Sequence, residues 1–140
     1  MHKKLHLPAA TLILCLNNFA YADSVDMFFC TLSSVREFDY KTNTYRAFNC
    51  AGADRDTVEC LASDYPKAEA VASETTYRVK REGRPRPNGR LPWIEEGEIS
   101  RSSGAYKFSV YSRRPNGTYD LPPMSTGEGT CELGKAPRKF

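Results

Sequence analysis

Apolar and polar residues alternate most clearly in the last third of the chain. There Tyr106, Phe108 and Val110 fall on one face of an extended segment and Lys107, Ser109 and Tyr111 on the other. A period of two marks a strand with one buried face. Trp93-Ile94 opens the strand before it. Asn116-Gly117 suits a type I′ turn leading into a strand near Thr118–Leu121. A last strand is expected near Gly129–Leu133, carrying Cys131, with a loose tail from about residue 135.

Upstream, Met27-Phe28-Phe29-Cys30-Thr31-Leu32 is short, aromatic and apolar, and reads as a buried first strand; a turn over Lys41–Thr44 pairs it with a second near Tyr45–Phe48. A loop over Ala51–Asp56 leads to a short strand at Thr57–Leu61, and Thr75–Lys80 alternates as another. Helix is favoured only at Lys67–Ala72, where Ser63 or Asp64 would cap and Pro66 sits near the first position. The prolines and glycine of Arg84–Arg90 make that stretch a loop. Seven or so short strands and one short helix predict a mainly β fold, a small antiparallel β-barrel or sandwich.

The N-terminus follows another logic. Met1-His2-Lys3-Lys4 precedes the apolar run Ala9–Leu16, and Ala20-Tyr21-Ala22 places small residues at −3 and −1. That is the layout of a secretory signal over residues 1–22, leaving 23–140 as one β-rich domain. The apolar run is too short to cross roughly 30 Å of hydrocarbon, and no second run follows, so no membrane span is expected. Leu14 before Cys15 is not the small residue that normally precedes a lipidated cysteine. A bacterial periplasmic or secreted location is expected.

Removing the signal changes the chemistry. The whole chain has 20 basic and 17 acidic residues; losing Lys3 and Lys4 leaves 18 against 17, which gives no general case for nucleic-acid binding. Both histidines, His2 and His6, leave as well. A chain without imidazole builds no Ser-His-Asp or Cys-His relay and offers no histidine to a metal. The expectation is a protein that is not an enzyme, with no cofactor and no metal.

Four cysteines remain, Cys30, Cys50, Cys60 and Cys131, with no CxxC pair among them. In an oxidising compartment they read as two structural disulfides. Three pairings are open; the expectation adopted is Cys50–Cys60 closing a local loop and Cys30–Cys131 joining the first strand to the last.

Candidate chemistry is sparse. Arg78, Lys80, Arg81, Arg84, Arg86 and Arg90 form a basic run interrupted by Glu82. It would suit an anionic envelope surface, or simply a solvated hairpin loop. Glu95, Glu96 and Glu98 beside Trp93 could in principle supply the acid and base of a glycan hydrolase, but alternation separates Glu95 from the other two. Asn116-Gly117-Thr118 fits a glycosylation sequon and is read as a turn. Ser103-Gly104-Ala105-Tyr106 lies between two expected strands. A serine hydroxyl and a tyrosine phenol from one tight loop would suit a polar cleft on a partner; otherwise Tyr106 simply begins the core side of the next strand.

The Phe28-Phe29-Cys30 segment, the late Cys131 and the Ser103–Tyr106 loop resemble the c-type family of bacterial periplasmic lysozyme inhibitors. Those are small exported β proteins that plug the lysozyme cleft with a Ser-Gly loop followed closely by Tyr. Their first-strand cysteine is bridged to one near the C-terminus. The resemblance implies that Ser103, Gly104 and Tyr106 contact the partner. This chain departs from the family in having one residue between Gly and Tyr where that family has two, and in lacking the family's second motif ending in Thr-Lys-Gly, with only Thr126-Gly127 nearby. The leading expectation is thus an exported binding protein whose partner is a protein or envelope polymer, with lysozyme inhibition as its concrete form. Binding of an anionic surface through residues 78–90 is the alternative, and glycan hydrolysis a distant third.

Overall fold

The computed structural model describes residues 24–83 and 92–137. Residues 1–22, expected from the sequence to be a secretory signal, and Arg84, Arg86 and Arg90 of the basic run, lie outside the described residues.

Among the described residues eight strands form one antiparallel sheet: β1 Ser24–Asp39, β2 Thr44–Asn49, β3 Tyr65–Pro66, β4 Val71–Ala72, β5 Thr76–Glu82, β6 Trp93–Ser100, β7 Ala105–Ser112 and β8 Ser125–Pro137. Their order is β2-β1-β8-β7-β6-β5-β4, with β3 on β1 beside β2. The sheet curls enough to bring the Phe28 ring of β1 within 5.0 Å of the Tyr77 ring of β5. The segment from β3 to β4 pairs with β1 at Met27 and Phe28 and with β5 at Tyr77 and Arg78, so one short stretch of chain touches both strands.

β1 is longer than the apolar run that announces it. Leu32 pairs with Gly129 and Ser34 with Glu128, which leaves Ser33 as a bulge. Its hydroxyl donates to the Glu128 carbonyl at 3.1 Å and its carbonyl accepts the Cys50 amide at 3.0 Å. The extra residue shifts the alternation by one, so Phe28, Cys30 and Leu32 are buried and then Val35 rather than Ser34. A reading by strict alternation stops at the bulge, whereas the ladder continues through it. At the other end, Lys135, Ala136 and Pro137, expected as a tail, pair with Asp26, Val25 and Ser24.

Two expected elements take different forms. Thr57–Leu61 is no strand; Val58–Cys60 is a single 3-10 turn. Its cysteine is bonded to Cys50, and Asp54 ties the loop down by accepting the Asn49 amide at 2.7 Å. Lys67–Ala72 is no two-turn helix but the 3-10 turn Lys67–Glu69 followed by β4. Tyr65 is buried and the backbone on either side is bound to β1 and β5, so sheet pairing overrides a weak local helix preference.

The turn at Pro115–Gly117 also differs from the expected type. Arg114 donates to the Thr118 carbonyl at 2.8 Å and Gly117 to the Arg114 carbonyl at 2.9 Å, with positive φ at Gly117 and not at Asn116. That is a three-residue loop closed by a left-handed glycine. Of the strand expected over 118–121, only a bridge between Tyr119 and Arg113 forms.

The core holds Phe28, Leu32, Val35, Phe48, Tyr65, Val79, Ile99, Tyr106, Phe108 and the four cysteines. Both disulfides join the expected partners, Cys30 with Cys131 and Cys50 with Cys60.

Candidate functional site

The β6–β7 turn is tightly built. The Gly104 amide donates to the Ser100 carbonyl at 2.9 Å, and the Gly104 carbonyl accepts the Cys131 amide at 2.8 Å. Gly104 has φ +74°, and a Cβ there would lie 2.6 Å from the Cys131 carbonyl oxygen, so the position requires glycine. The Ser103 hydroxyl is exposed and accepts the Ala105 amide at 3.2 Å. Tyr106 does not join it. Only 2% of Tyr106 is exposed, and its ring stacks on Phe108 at 5.5 Å. Its hydroxyl is hydrogen-bonded to that of Tyr65, which donates in turn to the Glu95 carboxylate. Burial pushes both phenols well above the ordinary tyrosine range, and the hydrogen bond to Glu95 adds to the effect at Tyr65. Ser103 and Gly104 thus sit on the turn, while Tyr106 belongs to the core.

The acidic cluster divides as alternation predicts. Glu96 and Glu98 are exposed on the outer face, whereas Glu95 faces inward. Glu59 and Glu95 both line a small pocket of about 140 Å³, below the roughly 300–1,000 Å³ of sites that enclose small ligands. Among the described residues no group of three His, Cys, Asp or Glu side chains could hold a metal ion.

The described part of the basic run is largely matched by acids on neighbouring strands. Arg78 lies opposite Glu98, Glu98 opposite Lys107, and Lys107 opposite Glu128, forming a row of alternating charge across β5, β6, β7 and β8. Arg78 meets Glu98 at 3.4 Å and Lys107 meets Glu128 at 4.0 Å. Lys80 lies opposite Glu96. Arg81 faces the other way, donating to the Ser63 hydroxyl at 2.7 Å with its guanidinium 5.6 Å from the centroid of the Trp93 ring. These three residues do not form one basic face.

A different cluster emerges at the far end of β1. The Phe38 ring lies 4.8 Å from Tyr40 and 5.1 Å from Tyr45, and Arg36 covers Tyr45 at 4.6 Å. The Phe38 amide donates to the Met124 carbonyl at 2.9 Å, which ties the β1–β2 hairpin to the loop before β8. Partial burial, the Asp120 carboxylate and Tyr45 together raise the Tyr40 phenol above its usual range, so the two segments are electrostatic neighbours. Tyr40 is 61% exposed and Leu121 76%. Sequence reasoning missed this end. Its one signal was the alternation of Phe38 and Tyr40 with Glu37 and Asp39, past the bulge where β1 had been expected to stop.

No family model matches the chain, and neither a curated protein nor a solved structure matches it.

Proposed function

We propose that this is an exported, non-enzymatic binding protein that holds a protein partner against the end of the sheet built by the β1–β2 hairpin and residues 113–124. The observation that carries this reading is the exposure of Tyr40 and Leu121 on two segments joined by the Phe38–Met124 hydrogen bond. Large apolar and aromatic side chains cost free energy in water, and tyrosine in particular anchors interfaces because its ring is rigid and its hydroxyl finds a partner. The β1–β2 ladder holds the hairpin, and the Asp120 and Met124 amides, bonded to the Ser112 and Val110 carbonyls at 2.8 and 2.7 Å, hold the second segment, so little ordering cost falls on binding.

A lysozyme is the first partner to test, since the Ser103-Gly104 turn supports that resemblance. Tyr106 lends it no support, because its phenol is committed inside the core. Purified oxidised protein is tested for inhibition across a lysozyme panel and for capture of partners. Tyr40→Ala and Leu121→Ala are expected each to weaken the captured complex by about 2 kcal/mol, roughly thirtyfold in Kd. Binding that ignores both substitutions but falls with Ser103→Ala would move the site to the β6–β7 turn.

A further inference from the structure

At the opposite end of β1 from the hairpin lies a groove of about 950 Å³ whose apolar lining includes Val25, Met27, Phe29, Pro66, Ala136 and Pro137. Two acids and two bases, Asp26, Asp64, Lys67 and Arg81, also line it, and they are not in the same state. Asp26 accepts a hydrogen bond from Lys135 at 2.9 Å, which holds its carboxyl below the usual range. Asp64 accepts the Cys30 amide at 3.4 Å. Among the described residues neither Lys67 nor Arg81 has a carboxylate within ion-pair distance. Both acids are engaged within the protein; Lys67 acts on Asp26 only beyond ion-pair distance, and Arg81, opposite Glu95 across β5 and β6, forms no ion pair with it, so both cations can meet a further anion at the groove.

We propose that this groove binds one long-chain fatty acid, with the acyl chain along the apolar lining and the carboxylate between Arg81 and Lys67. The volume lies within the range of sites that enclose small ligands. Each methylene laid on the lining leaves water, so affinity rises with chain length. Arg81 is positioned before any ligand arrives, by its bond to Ser63 and by the Trp93 ring. A guanidinium so held presents paired donors that match a carboxylate. The inference is independent of the protein-binding reading, because the two surfaces lie at opposite ends of β1.

The test uses the protein with both disulfides formed, titrated with the fluorescent fatty acid cis-parinaric acid. Saturable binding of one per chain is expected, displaced by hexadecanoate at least tenfold better than by dodecanoate or by hexadecanol. In the Lys67→Met/Arg81→Met double variant, hexadecanoate should lose its preference over hexadecanol. Ala68→Trp, at an exposed position on the groove, should block both, with near-ultraviolet circular dichroism confirming the fold. No saturable binding by the unaltered protein would overturn the proposal. So would equal displacement by acid and alcohol, or a stable dimer in solution that covers Phe29 and Ala68.

Discussion

The Tyr65 and Tyr106 hydroxyls, from a two-residue strand and from β7, share a hydrogen bond inside the core, and Tyr65 passes the chain on to Glu95. Each phenol is a donor and acceptor that water does not reach, so removing one leaves its neighbour short of a partner. Tyr65→Phe and Tyr106→Phe are each expected to cost about 1–3 kcal/mol of stability, measured as a lowered denaturant midpoint at unchanged slope. Partner binding by folded Tyr106→Phe should equal that of the parent. A variant as stable as the parent that no longer binds would return Tyr106 to the binding surface.

The same pair sets an alkaline limit. Both phenols are raised above the ordinary value of 10.0, with burial as the leading cause. The unfolded chain therefore releases these protons first, and the folded state binds more protons above pH 10. Stability is fully present below about pH 10 and falls as pH rises beyond it. Thermal unfolding at pH 9 and pH 11 checks this, and the fall should shrink in Tyr65→Phe.

Gly97 lies between Tyr106 and Val79. An added Cβ would stand 2.6 Å from the Tyr106 ring and 3.0 Å from Val79. Gly97→Ala should overpack the core and cost about 1–3 kcal/mol. The hydroxyl chain to Glu95 would be displaced too, so combining it with Tyr106→Phe should cost less than the sum of the two.

The disulfides should contribute unequally. Cys30–Cys131 spans 101 residues and Cys50–Cys60 spans 10. On the chain-entropy account, removing the long link costs nearly 5 kcal/mol and the short one roughly 3. Cys30 and Cys131 are also direct partners across β1 and β8. Paired Cys→Ala variants compared by urea unfolding give the order, and equal losses would show that native-state strain or residual unfolded structure outweighs loop closure.

The charge row on the outer face should matter more for sign than for strength. Arg78, Glu98 and Lys107 are all well exposed, and such pairs contribute about 0.2–1 kcal/mol each. Glu98→Gln should therefore change stability little, while Glu98→Lys places three cations in a row. A further loss of about 1 kcal/mol, relieved by salt, is expected from thermal unfolding at low and high ionic strength.

The sequence by itself determined what depends on neighbours along the chain. Alternation at Tyr106, Phe108 and Val110 marked β7 and its buried face, and the same alternation separated Glu95 from Glu96 and Glu98. The even set of cysteines without a CxxC pair pointed to two disulfides. Where the sequence left choices open, contacts far apart in the chain decided them. The Ser33 bulge carried β1 on to Phe38 and Asp39, because an unpaired residue resets the alternation without ending the ladder. Lys67–Ala72 gave up helix for a turn and β4, because Tyr65 had a place in the core beside Tyr106 and two strands had backbone to pair. Arg78 and Lys80, basic when read along the chain, came to lie opposite Glu98 and Glu96 once β6 lay alongside, while Arg81 turned to Ser63. Tyr106 parted from the Ser103-Gly104 turn for the same reason: a phenol follows the hydrogen-bond partner that the fold brings to it, and Tyr65 stands 41 residues away.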